Sequence, residues 1–172
     1  MGAPIDSFDL NGLRLTSGEG RRLDLDVQVE PFTLGGDSYS VEPAEVPVRL
    51  DISRTTGQGY ALRVRFAATL HGPCMRCLDP ADSTFEIDAR EISQPGAGEE
   101  LDSPYVEAGV LYLAGWTRDA LALSLPRAIL CNEDCAGLCP VCGDNLNTAG
   151  SDHAHETEPD PRWAKLSEIK FD

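Results

Sequence analysis

Leu62-Arg-Val-Arg-Phe-Ala-Ala-Thr-Leu-His-Gly-Pro-Cys-Met-Arg-Cys77 decides the fold. Leu62, Val64, Phe66, Ala68 and Leu70 alternate with Arg63, Arg65, Thr69 and His71. A period of two puts the first set on one face of a strand and the second on the other. One apolar face and one wet face suit an antiparallel sheet; a parallel α/β sheet would be apolar on both. The strand ends on a Cys-x-x-Cys pair, so whatever Cys74 and Cys77 do is done at the rim of that sheet.

Three further segments follow the same rule. Leu23, Leu25, Val27 and Val29 alternate with Asp24, Asp26, Gln28 and Glu30. Val46, Val48, Leu50 and Ile52 alternate with Pro47, Arg49, Asp51 and Ser53. Pro47 has no N–H to give a ladder, which points to an edge strand. The fourth segment, around Phe85, Ile87 and Ala89, reads as shorter. A helix is expected over 116–125, with Thr117 as its cap, Asp119 in its first turn and Pro126 as its stop. A short second helix is expected over 160–170, where Asp160 can cap, Pro161 fits the first position, and Trp163, Leu166 and Ile169 share a side. The expected class is α+β: an antiparallel sheet with one packed helix, then a zinc-knuckle C-terminal tail ending in a short helix. The division is 1–130 for the β-rich domain, 131–158 for the cysteine/histidine segment and 159–172 for the last helix.

Charge narrows the function. Acids outnumber bases 29 to 14 over 172 residues, a net charge of −15. Bulk charge therefore repels nucleic acid and anionic membranes. No apolar run approaches the length of a membrane span, and the start lacks the basic-then-apolar pattern of a secretory signal, so a cytoplasmic location is expected. The charge is uneven. Five arginines (49, 54, 63, 65 and 76) face two acids over 45–77, whereas 79–107 holds nine acids and only Arg90. Residues 93–104 read as a turn-rich acidic loop.

The six cysteines carry the chemistry: Cys74, Cys77, Cys131, Cys135, Cys139 and Cys142. In a reducing compartment such spacing favours metal over disulfides. Cys139-Pro-Val-Cys142-Gly143 is a zinc knuckle, with Gly143 free to turn so that amides approach the sulfurs. His153-Ala-His155 can complete a site of two cysteines and two histidines. Cys74 and Cys77 with Cys131 and Cys135 then make a second set of four. The spacing equally allows one all-cysteine site of Cys131, Cys135, Cys139 and Cys142, with Cys74 and Cys77 left as a free dithiol. One or two structural Zn2+ ions are expected. Full protein ligation leaves no open position for water or substrate. No Ser-His-Asp set or phosphate-cradling glycine loop is present, and no catalytic residue is assigned.

These motifs together resemble the YceD family, the large ribosomal RNA subunit accumulation proteins. The resemblance rests on Cys74-Met-Arg-Cys77-Leu78, on Leu-Ser-Leu-Pro126, on Cys131-Asn-Glu-Asp-Cys-Ala-Gly-Leu-Cys-Pro-Val-Cys-Gly-Asp-Asn-Leu-Asn147 and on Asp160-Pro-Arg-Trp163. It implies a non-catalytic role in accumulating or processing large-subunit (23S) ribosomal RNA and in ribosome assembly. Some family members keep only the first Cys-x-x-Cys and one later pair, which implies that Cys74 and Cys77 join Cys131 and Cys135. Members with the longer tail often end it in a Cys-x-Cys-like pair, where this chain has His153-Ala-His155. The expected partner is ribosomal RNA, touched by Arg49, Arg63, Arg65 and Arg76, or a basic ribosomal protein held by the acidic surface; the charge balance favours the protein. The alternatives are a zinc-stapled adaptor unconnected with RNA and a Cys-x-x-Cys thiol oxidoreductase.

Overall fold

A computed structural model describes residues 4–98, 101–150 and 152–155. In chain order it holds β1 (Phe8–Asp9), a 3-10 turn (Asn11–Leu13), β2 (Gly20–Gln28), β3 (Phe32–Leu34), β4 (Asp37–Glu42) and β5 (Glu45–Arg54). Then come β6 (Tyr60–Pro73), β7 (Pro80–Ser93), β8 (Val106–Glu107), β9 (Val110–Leu111) and α1 (Leu113–Leu123). All strand pairings are antiparallel. The α+β class therefore holds.

The quoted stretch is the spine of the sheet. β7 covers one edge of β6 along its whole length, from Tyr60↔Ser93 to Pro73↔Pro80. The other edge is shared: β5 pairs with residues 60–65 and β4 with residues 69–71. β2 pairs with the outer side of β5, and β3 with β4. Val27, Val46, Val48, Leu50, Ile52, Leu62, Val64, Phe66, Ala68 and Leu70 are buried on the inner face. Helix α1 packs against β2 and β7, burying Leu113, Trp116, Thr117, Ala120 and Leu121.

Three expectations need correction. First, the Pro47 strand is not an edge: β5 is flanked by β2 and β6. Pro47 is accommodated because the β5–β6 ladder starts only at Arg49, so no N–H is required of residue 47 on that side. Second, the 85–89 strand is not short: β7 matches β6 with 14 residues. Its inward positions include Ser83 and Glu91, which hide the alternation. Third, α1 starts at Leu113, so Thr117 lies inside it and is no cap. The start is fixed by tertiary bonds: the Tyr112 N–H donates to the Tyr105 carbonyl at 2.7 Å and the Ala114 N–H to that of Asp6 at 3.0 Å. No side chain caps the N-terminus; backbone acceptors from Tyr105, just before β8, and from Asp6 in the N-terminal segment stand in. The expected helix over 160–170 lies outside the described residues.

Thr117 offers a direct test. It is fully buried and its Oγ1 has no hydrogen-bond partner. Burying an unpaired hydroxyl costs about 1–3 kcal/mol. Thr117→Val keeps the shape and removes that cost. The urea midpoint should rise by the equivalent of about 1 kcal/mol; a fall would mean that the hydroxyl has a partner in solution.

The open face rearranges the charges. Asp24, Arg49, Arg65 and Asp88 stand in one row across four strands, and Arg22, Asp51, Arg63 and Arg90 in the next. Arg49 pairs with Asp24 at 3.0 Å, Arg22 with Asp51 at 2.6 Å and Arg63 with Asp88 at 2.7 Å; Arg65 also bonds Asp51. The hydrogen bond from Arg22 is the main cause that holds the Asp51 carboxyl below its usual value, and Arg65 adds to it. The basic and acidic runs of the sequence are thus interleaved in space. No helix among the described residues is long and apolar enough to cross a membrane.

Candidate metal centre

The first cluster begins at the β6–β7 turn. The Cys74 N–H donates to the Asp79 carbonyl at 2.7 Å and the Leu78 N–H to that of Cys74 at 3.0 Å, with Leu78 at φ +65°. That tight turn aims both thiols of Cys-x-x-Cys to one side. Behind α1 the chain is held to this turn by Ile129. Its side chain is buried, its carbonyl accepts from the Met75 N–H at 2.9 Å, and Cys131 follows two residues on. Cys74 Sγ lies 3.7 Å from Cys135 Sγ, and Cys77 Sγ 3.5 Å from Cys131 Sγ. All four sulfurs fall within 4.8 Å of one another. The structure therefore brings together Cys74, Cys77, Cys131 and Cys135, and sets Cys139 and Cys142 with His153 and His155 in a second group of the same compactness. There Cys142 Sγ stands 3.5 Å from His153 Nε2, and the two Nε2 atoms are 3.1 Å apart.

These distances discriminate between chemistries. A disulfide needs sulfurs about 2.05 Å apart, and all six cysteines are free. A tetrahedral zinc bound at about 2.3 Å to sulfur and about 2.0–2.1 Å to nitrogen spaces its ligands about 3.3–3.8 Å apart. The two sulfur pairs of the first cluster, at 3.7 and 3.5 Å, fall within that spacing, the second cluster's pairs at 3.5 and 3.1 Å lie in or just below it, and both clusters could hold a metal ion.

The surroundings favour the thiolate at one cysteine of each cluster and the thiol at others. Burial pushes the Cys74 thiol up, but the backbone N–H groups of Cys77, Arg76 and Cys131 outweigh it and bring it down to about 6. At Cys139 the Cys142 backbone N–H, the His153 ring and the Val141 backbone N–H bring it to about 6. Burial raises Cys77 and Cys131. At Cys142 the Asp144 N–H pulls down, but burial and the Asp144 carboxylate leave the thiol raised. Each cluster thus pairs one ready thiolate with thiols that a cation must deprotonate. Gly143, at φ +80°, allows the turn that aims the Val141 N–H at Cys139 Sγ at 3.4 Å.

Arg76 sits apart from the other arginines. Its Nη1 donates to the Cys135 carbonyl at 2.9 Å and its N–H to Cys74 Sγ at 3.4 Å, so it braces the first cluster. Arg49, Arg63 and Arg65 do lie together on the open face, each against a carboxylate. Sequence reasoning named eight ligand candidates but passed over their supports: Asp79, Asn132, Asn145 and Asn147. Asn132 Nδ2 donates to Cys131 Sγ at 3.3 Å and Asn147 Nδ2 to Cys135 Sγ at 3.4 Å. The signal was the Asn145-Leu-Asn147 run beside the knuckle, whose amides can donate to sulfur and accept from the backbone.

The profile described as "Large ribosomal RNA subunit accumulation protein YceD" matches residues 62–170, a stretch that contains both clusters. Uncharacterized proteins of Mycobacterium bovis and Mycobacterium tuberculosis are each 33% identical over 121 residues, 67% of this chain and 58% of theirs. The chain thus spans little more than half the length of these relatives. A maize protein described as "Large ribosomal RNA subunit accumulation protein YCED homolog 1, chloroplastic" is 31% identical over 80 residues, 46% of this chain and 24% of its own. No solved structure matches. With its spine strand, both cysteine-rich segments and the knuckle inside the matched region, this chain belongs to the YceD family.

Proposed function

We propose that the chain is a non-catalytic cytoplasmic factor for the accumulation of large-subunit ribosomal RNA, its tail held to the sheet by two structural zinc ions. The family match over 62–170 carries this reading. The description of the maize relative as a large ribosomal RNA subunit accumulation protein supports it. The site chemistry agrees. Each cluster supplies four protein ligands, which leaves no coordination position for a substrate. Cys74 and Cys77 are buried in a hairpin turn, whereas a thiol oxidoreductase needs an exposed thiolate. A zinc ion here would supply cross-linking.

The test is loss of the gene in its own host. The ratio of large- to small-subunit ribosomal RNA should fall, and return with the intact chain but not with Cys74→Ser. An unchanged ratio would favour an adaptor unconnected with ribosomal RNA.

The reading extends to a partner, a basic ribosomal protein. The support is charge: −15 overall, with Arg49, Arg63 and Arg65 already neutralised by carboxylates and Arg76 engaged at Cys135. Such binding should weaken steeply as salt rises, since screening shortens to about 3 Å at 1 M. Affinity for the cationic fraction of large-subunit proteins that is indifferent to salt would sink it.

A further inference from the structure

The Asn145-Leu-Asn147 run belongs to the loop between the ligands of the second cluster, yet its side chains serve the first. Asn147 Oδ1 accepts from the Ala136 N–H at 2.8 Å, and Asn147 Nδ2 donates to Cys135 Sγ at 3.4 Å. Asn145 Oδ1 accepts from Asn147 Nδ2 at 2.8 Å and from the Asn147 N–H at 3.0 Å. Asn145 Nδ2 donates to Asp79 Oδ2 at 2.6 Å, on the turn that presents Cys74 and Cys77. The backbone follows: the Leu146 N–H donates to the Gly137 carbonyl at 2.9 Å, and the Leu138 N–H to that of Arg76 at 3.1 Å. Gly137 adopts φ +80°, and an added Cβ would stand 3.2 Å from the Arg76 carbonyl oxygen. The strap between the clusters is therefore packed directly on the first cluster's hairpin.

We infer that Asn147, held by Asn145, is a positioning residue that couples the two metal sites, so that loading the second site tightens the first. This inference rests on the zinc reading above. The physical chain is short. Ligation of Cys139, Cys142, His153 and His155 fixes both ends of the 142–153 loop. The fixed loop holds the Asn147 amide against Cys135. An N–H donated to a ligand thiolate spreads its charge and sets its orientation, and loss of such outer contacts costs about 10–100-fold in metal affinity. With the second site empty, the loop is a closure left open, and the Asn147 contact must be ordered afresh each time. Linkage makes the effect reciprocal: the first site loaded must also tighten the second.

The experiment uses the full-length protein, chelator competition followed by alkylation, and peptide mapping of each cysteine. His153→Ala with His155→Ala disables the second site. In the otherwise unchanged protein this should weaken zinc at the first site by about 10-fold or more, read as alkylation of Cys74 and Cys135 at lower chelator. Asn147→Ala alone should weaken the first site similarly, and the histidine changes should then add nothing there. Asn147→Asp guards against a folding failure. It keeps the acceptor for the Ala136 N–H and replaces the amide donor with a carboxylate facing a thiolate, so it should weaken the first site at least as much. Two zincs whose release at the first site ignores the histidine changes would overturn the coupling and leave the zinc reading standing. The same holds if those changes act equally in both Asn147 backgrounds. Purified protein with no zinc at all would overturn both.

Discussion

Removing both metal ions should release residues 126–155 from the sheet while the sheet and α1 stay folded. With a strong chelator at neutral pH, limited proteolysis should cut within 126–155 at least about 100-fold faster than in the loaded protein, leaving a resistant fragment that ends after α1. The argument is a comparison of cores. The inner face of the sheet buries its own residues from Leu10 to Leu121, and β6, β7, β5 and β2 are laddered along their lengths. Among the described residues the tail contributes Ile129, Cys135 and Cys139 to the buried set, with Leu130 and Leu138 partly buried against the core, so its apolar anchorage is one full side chain and two partial ones. Burying one such side chain gives about 1.5–3 kcal/mol. A structural zinc site in a small module supplies about 10–16 kcal/mol at neutral pH. Metal bound at these clusters would therefore dominate the attachment of the tail, and without it the raised thiols of buried Cys77 and half-buried Cys131 are left with poor hydrogen bonds. A digest that chelation leaves unchanged would refute a metal-held tail. Loss of the sheet's circular dichroism signal along with the tail would show that the two fold as one unit.

That division of labour explains what could be read from the sequence. The alternation in 62–70 carried the spine strand because one face is wholly buried and the other wet, the condition under which period two is clean. It failed at β7, where Ser83 and Glu91 face inward near the sheet's ends and β7 lies at the sheet edge. It missed β1, β8 and β9, which are two residues each, too short for any period, and are set by pairing with one another. The hairpin of β3 and β4 left only its Gly35-Gly36 turn, at φ +63° and +99°, as a sign. The start of α1 was misplaced because the acceptors that satisfy its first amides come from Asp6 and Tyr105, distant in sequence. The ligand candidates were legible since metal chemistry demands particular residue types at short spacing. Their partition into two sets was not fixed by spacing, because Cys131 and Cys135 both stand close enough to Cys139 in sequence to share a site with it. Only the approach of the β6–β7 turn, through Met75 and Ile129, brings Cys74 and Cys77 to Cys131 and Cys135. The charge runs do not stay apart in space for the same reason: β6 and β7 are neighbours, so arginines and carboxylates far apart in sequence meet on the open face.

Zinc affinity should fall steeply with acid, and more steeply at the first cluster than at the second. In the metal-free protein near neutral pH, Cys77 and Cys131 carry their protons because burial raises both thiols, while Cys74, at about 6, is already a thiolate. Loading the first site must then displace at least two protons. The second site displaces at least one, from Cys142, since Cys139 is also brought to about 6. Each displaced proton changes apparent affinity about 10-fold per pH unit. Between pH 6.5 and 7.5 the first site should therefore gain at least about 100-fold in affinity and the second at least about 10-fold. The stability of the metal-free clusters obeys the depressed groups. For Cys74 and Cys139 the folded value lies below the unfolded one, so their contribution is full above the unfolded value of about 8.5. It shrinks as pH falls and is lost through about 6. The raised thiols act in the opposite sense, losing stability only as pH climbs past their unfolded value. Calorimetric titration with zinc in two buffers of different ionisation enthalpy counts the protons directly. Release of fewer than three protons over the two sites would mean that at least one of Cys77, Cys131 and Cys142 is already ionised in the metal-free protein.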